Sequence, residues 1–231
     1  MAKNAAPEKA RIAVFDFDGT VIDGQSGWLV STYLNSKGLV SARLAARLLW
    51  WGTRYTLHLP HRQGEARELV FSALKGKRRD TIDLLLRAFH DEVLVPRYRD
   101  LAVAEIDRRK AEGLTVLIVS ATFSVIAEVA AEKLGVDGYV ATEMELDERG
   151  EYTGRVAGEV VEGAEKLRAV KRWADERFGE DGWEIACAYG DHHSDEELLS
   201  AAGQAFAVCP GATLKRCAKR AGWEILDWNS K

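Results

Sequence analysis

Five short apolar runs, separated by helical or turn-rich stretches, constrain the fold of this chain more than any other feature of its sequence. The runs cover residues 12–17, 114–120, 139–142, 185–189 and 205–208. Their near-continuous apolar character is typical of strands in a parallel sheet that is covered by helices on both faces. Because helices separate the runs, we predict an α/β fold built on a doubly wound parallel sheet.

The composition is that of a globular protein without a strong basic excess. The chain has 231 residues, 47% hydrophobic and 29% charged, with a formal net charge of −4. This length can bury the core of one domain, or of one domain with an insertion. The charge argues against nucleic-acid binding by phosphate neutralisation, but it does not exclude a small anionic substrate.

The cysteines and the hydropathy pattern bear on location. The three cysteines show no metal-ligand spacing, and neither an apolar leader nor a membrane-spanning run occurs in the sequence. These features predict a reduced, cytoplasmic setting with no transmembrane segment. Peripheral contact with a membrane surface stays open.

Roughly ninety residues with few strand signals separate the first two apolar runs. This is too long for a simple crossover, so we predict an inserted α-helical domain over residues 25–95 and a core domain over residues 1–24 and 96–231. Residues 83–90 and 98–110 are also predicted to be helical, the latter as the crossover to the second strand. The segment ELDERGEYTGRV, residues 145–156, predicts a small hairpin.

Two aspartates, Asp16 and Asp18, stand at the end of the first strand in RIAVFDFDGTVID, residues 11–23. Residues two apart in a strand share a face, so both carboxylates project together and repel unless a positive charge lies between them. Mg²⁺ would neutralise the pair, because it prefers oxygen ligands. We predict that Asp16 is a nucleophile that forms an aspartyl-phosphate and that Asp18 is the general acid and base.

A phosphate contact and a buried cation are also expected. Ser120 ends the second strand, so its hydroxyl and the backbone N–H groups of Ala121 and Thr122 are placed to hold phosphate. Lys166 lies on the apolar side of a predicted helix, where an ammonium group needs an anionic partner. We predict that Lys166 pairs with phosphate and with acidic side chains.

Asp191 and Asp195 follow the fourth strand, with Gly190 at the turn. Asp191 is predicted to be a metal ligand, and Asp195 to orient Lys166 or a metal-bound water. The neighbouring His192 and His193 are predicted to be loop residues rather than a transition-metal site, because no separate histidine stands at ligand spacing.

Each of these motifs has a purely structural alternative when it is taken alone. DFDGT fits a strand that ends in an acidic turn, and Lys166 fits a solvated helix lysine. Helix capping would account for the serine and for the two later aspartates. Together, however, the alternatives require four coincidences near strand ends, and a single phosphate site explains all of them.

The aromatic residues of the insertion have two interpretations. Leu44, Leu48, Trp51 and Tyr55 recur at helical spacing. We predict that the group of large aromatics belongs mainly to the core of the insertion. A hydrophobic substrate pocket or a membrane contact is the alternative. The group comprises Trp28, Trp50, Trp51 and Tyr55.

The four motifs resemble, in order and over nearly the whole chain, those of the haloacid dehalogenase-like (HAD) hydrolase superfamily. DFDGT, with Gly19 and Thr20, is similar to its first motif, Ser120 to its second, Lys166 to its third and GDHHSD to its fourth. The insertion resembles a type 1 cap. Residues 141–166, ATEMELDERGEYTGRVAGEVVEGAEK, resemble subfamily IB, the phosphatases that include phosphoserine phosphatase.

This resemblance implies a Rossmann-like core, a mobile cap and Mg²⁺. It further implies that Asp16 is the nucleophile, Asp18 the acid and base, and that Ser120 and Lys166 contact phosphate. The implied metal ligands are Asp16, the backbone carbonyl of Asp18, and Asp191.

Two positions depart from the family pattern. Gln25 stands where phosphoserine phosphatases usually carry a glutamate that meets the substrate ammonium group, which disfavours phosphoserine while keeping Gln25 as a predicted substrate contact. His192 stands where a small residue is usual.

The leading hypothesis is a Mg²⁺-dependent phosphomonoester hydrolase whose substrate is a small phosphorylated metabolite or a phospholipid headgroup. The aromatic and basic stretch RLAARLLWWGTRYTLHLPHR, residues 43–62, suits a substrate with an apolar portion. Two alternatives stay open. One is a phosphotransferase that uses the same aspartyl-phosphate, and the other is a non-catalytic binding protein of the same fold.

Overall fold

A parallel sheet of six strands forms the centre of the described part of the chain. The structure is a computed structural model that describes residues 9–56 and 65–229. The described strands of the chain are β1 Ala10–Asp16, β2 Thr115–Phe123, β3 Gly138–Thr142, β4 Met144–Leu146, β5 Tyr152–Val156, β6 Trp183–Gly190, β7 Gln204–Val208 and β8 Glu224–Leu226. Strands β4 and β5 form a separate two-stranded sheet, and the other six form the central sheet. The sheet order is β3-β2-β1-β6-β7-β8, and every neighbouring pair is parallel. All five predicted strands are therefore present.

Helices cover both faces of this sheet. They are α1 Ser26–Ser36, α2 Ala42–Thr56, α3 Glu65–Ser72, α4 Arg79–Phe89, α5 Asp100–Ala111, α6 Ser124–Leu134, α7 Ala164–Phe178, α8 Glu196–Ser200 and α9 Ala212–Ala221. Ala13 and Phe15 of β1 join one hydrophobic cluster, whereas Ile12 and Val14 join the cluster that contains α7 to α9. The alternation reflects the two-residue period of a strand and confirms the predicted doubly wound α/β fold.

The insertion shares its core with one face of the sheet. Phe15 of β1 belongs to the same hydrophobic cluster as Leu34 of α1, Phe71 of α3 and Leu86 of α4. Burial of these side chains against one another holds the helices on the sheet. The exact division at residues 25 and 95 stays a prediction.

The aromatic residues of the insertion do not all lie in this core. Trp51 is half-buried against it, but Trp28 and Trp50 are 71% and 60% exposed, so the core prediction is wrong for these two. The physical reason is helical geometry: Trp50 points about 100° away from Trp51 on α2, and Trp28 points about 200° away from the buried Ser26 and Val30 on α1. The side chain of Tyr55 lies outside the described residues.

The chain enters and leaves the insertion side by side. The N–H of Asp23 donates to the carbonyl of Arg97 at 2.8 Å, and the N–H of Arg99 donates to the carbonyl of Val21 at 3.0 Å. The Arg99 guanidinium also donates to the carboxylate of Asp23 and to the side-chain carbonyl of Asn229, at 3.0 and 2.6 Å. These contacts fix the base of the insertion next to the loop that follows β1.

The predicted hairpin is present as β4 and β5, and it is bonded to the insertion. The backbone N–H of Gly76 donates to Tyr152, that of Tyr152 to Lys77, and that of Arg79 to Gly150, at 2.8 to 3.0 Å. The hairpin is therefore an extra point of attachment between the insertion and the rest of the chain.

The ends of several elements differ from the sequence prediction. The second strand continues through Phe123, and the short edge strand β8 was not predicted. Within residues 9–56 and 65–229, no helix is both long and apolar enough to cross a membrane.

Candidate active site

An ion cluster around Lys166 lies at the carboxyl edge of the sheet. The ammonium group donates to Oδ1 of Asp16 and to Oδ1 of Asp195, each at 2.5 Å. Asp16 ends β1, Lys166 lies in the first turn of α7, and Asp195 follows β6. Lys166 is only 5% exposed, so the alternative of a solvated helix lysine is excluded.

Burial and charge shift the titration of these groups. Burial alone would lower the pKa of Lys166, but Asp16 and Asp195 together hold it above its ordinary value. Burial raises the pKa of Asp16, and the carboxylates of Asp195 and Asp191 add to the rise while Lys166 opposes it. Burial, followed by the charge of Asp195, raises the pKa of Asp191 to about 6.

Two glycines allow the carboxylates to come together. Gly19 has φ +78°, and a Cβ atom there would lie 2.1 Å from Oδ2 of Asp191. At Gly190, a Cβ atom would lie 2.8 Å from the Cβ of Asp195. Both loops approach closely because these positions lack a side chain.

The resulting acidic group has the donor chemistry of a divalent-cation site. Carboxylate oxygens of Asp16, Asp191 and Asp195 lie within 4.8 Å of one another. Asp195 already accepts from Lys166 and, at 3.1 Å, from the backbone N–H of His192. Asp16 also accepts from Lys166, so hydrogen bonding does not separate these two carboxylates, and all three aspartates offer the oxygen ligands that a hard cation prefers.

Asp18 is bonded to the start of the insertion. Its Oδ1 accepts the backbone N–H of Ser26 at 2.7 Å, and its Oδ2 accepts the Ser26 hydroxyl at 2.9 Å. The hydroxyl oxygens of Ser26 and Thr122 lie 2.7 Å apart. Sequence reasoning missed Ser26, although a serine directly after Gln25 and before an apolar run is a common helix-start signal.

The structure corrects the predicted position of Ser120. Ser120 is fully buried inside β2 and does not end the strand, because β2 continues to Phe123. Its hydroxyl oxygen accepts the backbone N–H of Thr122 at 3.1 Å. Contact of Ser120, Ala121 and Thr122 with phosphate stays a prediction.

The remaining predicted residues lie around the cluster. The Thr20 hydroxyl donates to Oδ2 of Asp16 at 3.3 Å. Gln25 is exposed at the residue before α1 and makes no side-chain capping bond. His192 is the N-cap residue of a single 3₁₀ turn, His193–Asp195, that follows β6, so the predicted loop is a short helical turn at His193. The two imidazole ring centres lie 3.9 Å apart, and neither histidine belongs to the acidic group.

Comparison with known proteins gives one consistent family. The family model described as haloacid dehalogenase-like hydrolase matches residues 13–200. The inhibition of morphological differentiation protein of Streptomyces azureus is 30% identical over 227 residues, which cover 94% of this chain and 78% of that protein. A phosphoserine phosphatase of Mycobacterium tuberculosis is 27% identical over 94% of this chain and 70% of its own length. A histidinol-phosphatase of Neisseria meningitidis is 24% identical over 94% and 98%.

Solved structures show the same fold. A Bordetella pertussis protein of unknown function superposes with a TM-score of 0.82 at 25% identity, over 95% of this chain and 99% of that one. A substrate-bound phosphoserine phosphatase gives a TM-score of 0.63 at 20% identity, over 96% and 94% of the two chains. The predicted resemblance is confirmed: the chain belongs to the haloacid dehalogenase-like hydrolase family.

Proposed function

We propose that this protein is a Mg²⁺-dependent phosphomonoester hydrolase that works through an aspartyl-phosphate on Asp16. The observation that supports the proposal best is the buried contact of Lys166 with both Asp16 and Asp195, beside Asp191. Such a cluster holds one carboxylate in a fixed position and leaves excess negative charge for a cation. Relatives named as phosphatases agree with this reaction class.

The side chains divide the reaction into two steps. An Asp16 oxygen attacks phosphorus, the bond from phosphorus to the leaving oxygen breaks, and Asp18 gives its proton to that oxygen. Asp18 then takes a proton from water, whose oxygen attacks the phosphorus of the aspartyl-phosphate. Inorganic phosphate leaves, and the Asp16 carboxylate is restored.

Asp16 and Asp191 would hold Mg²⁺, with the backbone carbonyl of Asp18 as the further ligand that the family resemblance implies. When bound, the ion supplies charge neutralisation for the phosphoryl group. Lys166 contributes a second positive charge and, held by Asp195, stays in one orientation. Ser120 and the N–H groups after it are proposed to hold the phosphate oxygens, with the Thr122 N–H exchanging its hydrogen bond to the Ser120 hydroxyl for one to phosphate.

The substrate class is proposed to be a small phosphorylated metabolite. Phosphoserine and histidinol phosphate, named for two relatives, are both of this size. Gln25 lacks the negative charge that would pair with a substrate ammonium group, so we favour a substrate without one at that point. Closure of the insertion over the bound substrate would exclude bulk water during the first step, and the water of the second step would enter after the leaving group departs.

Contact of the insertion with an anionic lipid surface is a second candidate property, and the charge and exposure of α2 favour it. On α2, Arg43, Arg47 and Trp50 are spaced by four and three residues, so they share an outward-facing stripe of the helix. Neither arginine pairs with an acidic side chain among the described residues. The segment from Gly24 to Gly64 contains no aspartate or glutamate, so this part of the insertion is basic in a chain of net charge −4.

The test is phosphate release from a panel of phosphomonoesters, with and without Mg²⁺. The panel includes phosphoserine, histidinol phosphate, sugar phosphates, nucleotides and lysophospholipids. Asp16→Asn should abolish release while the unfolding temperature shows an intact fold. The matched control is Asp181→Asn, an exposed carboxylate in the turn before β6, at the opposite edge of the sheet. Full activity of Asp16→Asn in a clean preparation would refute the aspartyl-phosphate.

The same assay separates the two alternatives. A phosphotransferase would form new phosphate esters when acceptor alcohols are added, at the expense of inorganic phosphate. A binding protein would bind phosphorylated compounds and release phosphate from none of them.

A further inference from the structure

We propose that Ser26 is a positioning residue that fixes the Asp18 carboxylate for proton transfer to the leaving group. The inference rests on the proposed hydrolase function and adds a residue that no motif of the family resemblance includes. Ser26 is the first residue of α1, and it is fully buried.

Both carboxylate oxygens of Asp18 accept hydrogen bonds from this one residue. The backbone N–H of Ser26 meets Oδ1 at 2.7 Å, and its hydroxyl meets Oδ2 at 2.9 Å. Two bonds to the same partner prevent rotation of the carboxylate about its last torsion, which is otherwise broad for aspartate. Because a general acid must deliver its proton to the leaving-group oxygen, a fixed orientation of its carboxyl group increases the rate of this step.

The amino end of α1 further stabilises the Asp18 carboxylate in this position. Gln25, the residue before the helix, makes no side-chain capping bond, and the first turn of α1 contains no acidic residue. Asp18 therefore supplies the acceptor and the negative charge that the amino end of a helix requires.

Thr122 holds the serine from the other side. Its hydroxyl oxygen lies 2.7 Å from that of Ser26, and it follows Ser120 by two residues on β2. The Ser26 hydroxyl has one proton for two acceptors, and the carboxylate of Asp18 is the stronger of the two because it is charged. With that proton on the bond to Asp18, the Thr122 hydroxyl is the donor to Ser26. A hydrogen-bonded chain thus runs from the predicted phosphate loop through Ser26 to the acid.

The test uses the dependence of the rate on the leaving group. A 4-nitrophenolate ion leaves without a proton, whereas an alkoxide requires one, so only alkyl esters depend strongly on a well-placed acid. We would measure kcat/KM, which reports formation of the aspartyl-phosphate, for 4-nitrophenyl phosphate and for the best alkyl ester of the panel. The variants are Ser26→Ala, Asp18→Asn and, as control, Ser31→Ala, which removes a hydroxyl that donates to the Trp28 carbonyl within α1.

Ser26→Ala should lower kcat/KM for the alkyl ester by about tenfold or more and for 4-nitrophenyl phosphate much less, as expected for one lost bond to a charged group. Asp18→Asn should shift the ratio of the two values in the same direction, and Ser31→Ala should leave it unchanged. A merely structural role would lower both values equally.

An unchanged ratio in Ser26→Ala, or a faster reaction of the alkyl ester, would overturn the proposal. If the alanine variant fails to fold, Ser26→Cys keeps the size of the side chain with only a weak donor and should give the same shift in ratio. Failure of the proposed function is a different result, because the wild-type protein would then release phosphate from neither ester.

Discussion

Replacing Lys166 by methionine would test whether the ion cluster is stabilised by its single cation. Methionine keeps a long, flexible side chain but removes the charge that contacts Asp16 and Asp195. Both carboxylates would then lie buried without their cationic partner, at 3% and 0% exposure. Breaking a buried ion pair on one side typically costs about 3–5 kcal/mol.

This free energy translates into a large change in thermal stability. For a domain of this size, each kcal/mol lowers the unfolding temperature by about 2–4 °C, so Lys166→Met should unfold about 6–20 °C earlier than the wild-type protein. The measurement is circular dichroism on heating, with a chelator present so that no bound cation replaces the ammonium group.

The difference in unfolding temperature between Lys166→Met and the wild-type protein should also depend on pH. The pKa of Asp16 is already raised by burial and by neighbouring carboxylates, and Lys166 opposes that rise. Without Lys166 the pKa rises further above the unfolded value, so the folded variant binds more protons than the unfolded one. The free energy of unfolding of the variant is then highest at low pH and falls as pH rises through the folded pKa of Asp16. This difference in unfolding temperature should be smaller at pH 5 than at pH 8.

Lys171→Met is the matched control, because Lys171 is an exposed lysine of the same helix. It should unfold close to the wild-type temperature at both pH values. If Lys166→Met unfolds within about 2 °C of this control at pH 8, the ammonium group is not what stabilises the two carboxylates.

Two further predictions concern the loop after β1 and the outer face of the insertion. Gly19→Ala should displace Asp191 and reduce phosphate release by about 100-fold. Gly150→Ala is the control and should retain activity, because Gly150 has a similar positive φ but open space where the Cβ would lie. Equal activity of the two variants would contradict the steric argument. If the stripe of Arg43, Arg47 and Trp50 contacts anionic lipid, the protein should sediment with anionic but not neutral vesicles, and Arg47→Glu and Trp50→Ala should each weaken this binding. Absence of sedimentation at low salt would exclude the interface.

The parallel sheet was predictable because its inner strands are apolar on both faces. Phe15 and Val14 are neighbours in sequence and bury into opposite clusters, so β1 reads as a continuous apolar run. The edge strand β8 lacks this signal, since Glu224 and Ile225 are both exposed. Its pairing with β7 depends on the backbone, which leaves no pattern in the sequence.

The acidic cluster was predictable for a related reason. Parallel strands bring their carboxyl ends to one edge of the sheet, so Asp16 and Asp191 were expected to meet even though 174 residues separate them. The bond from Ser26 to Asp18 was not predicted, because it depends on the angle at which α1 leaves the loop after β1. Only the folded chain fixes that angle.

The positions at which the insertion is bonded to the rest of the chain restrict how it can move. Three backbone hydrogen bonds join residues 76–79 to the hairpin of β4 and β5, and Ser26 joins the start of α1 to Asp18. Movement of the insertion as one body must either carry the hairpin along or break these three bonds, at about 0.5–1.5 kcal/mol each. Any movement that displaces the start of α1 also changes the surroundings of Asp18. If the insertion closes over a substrate as proposed, the hydrogen bonds of Ser26 would couple that closure to the placement of Asp18.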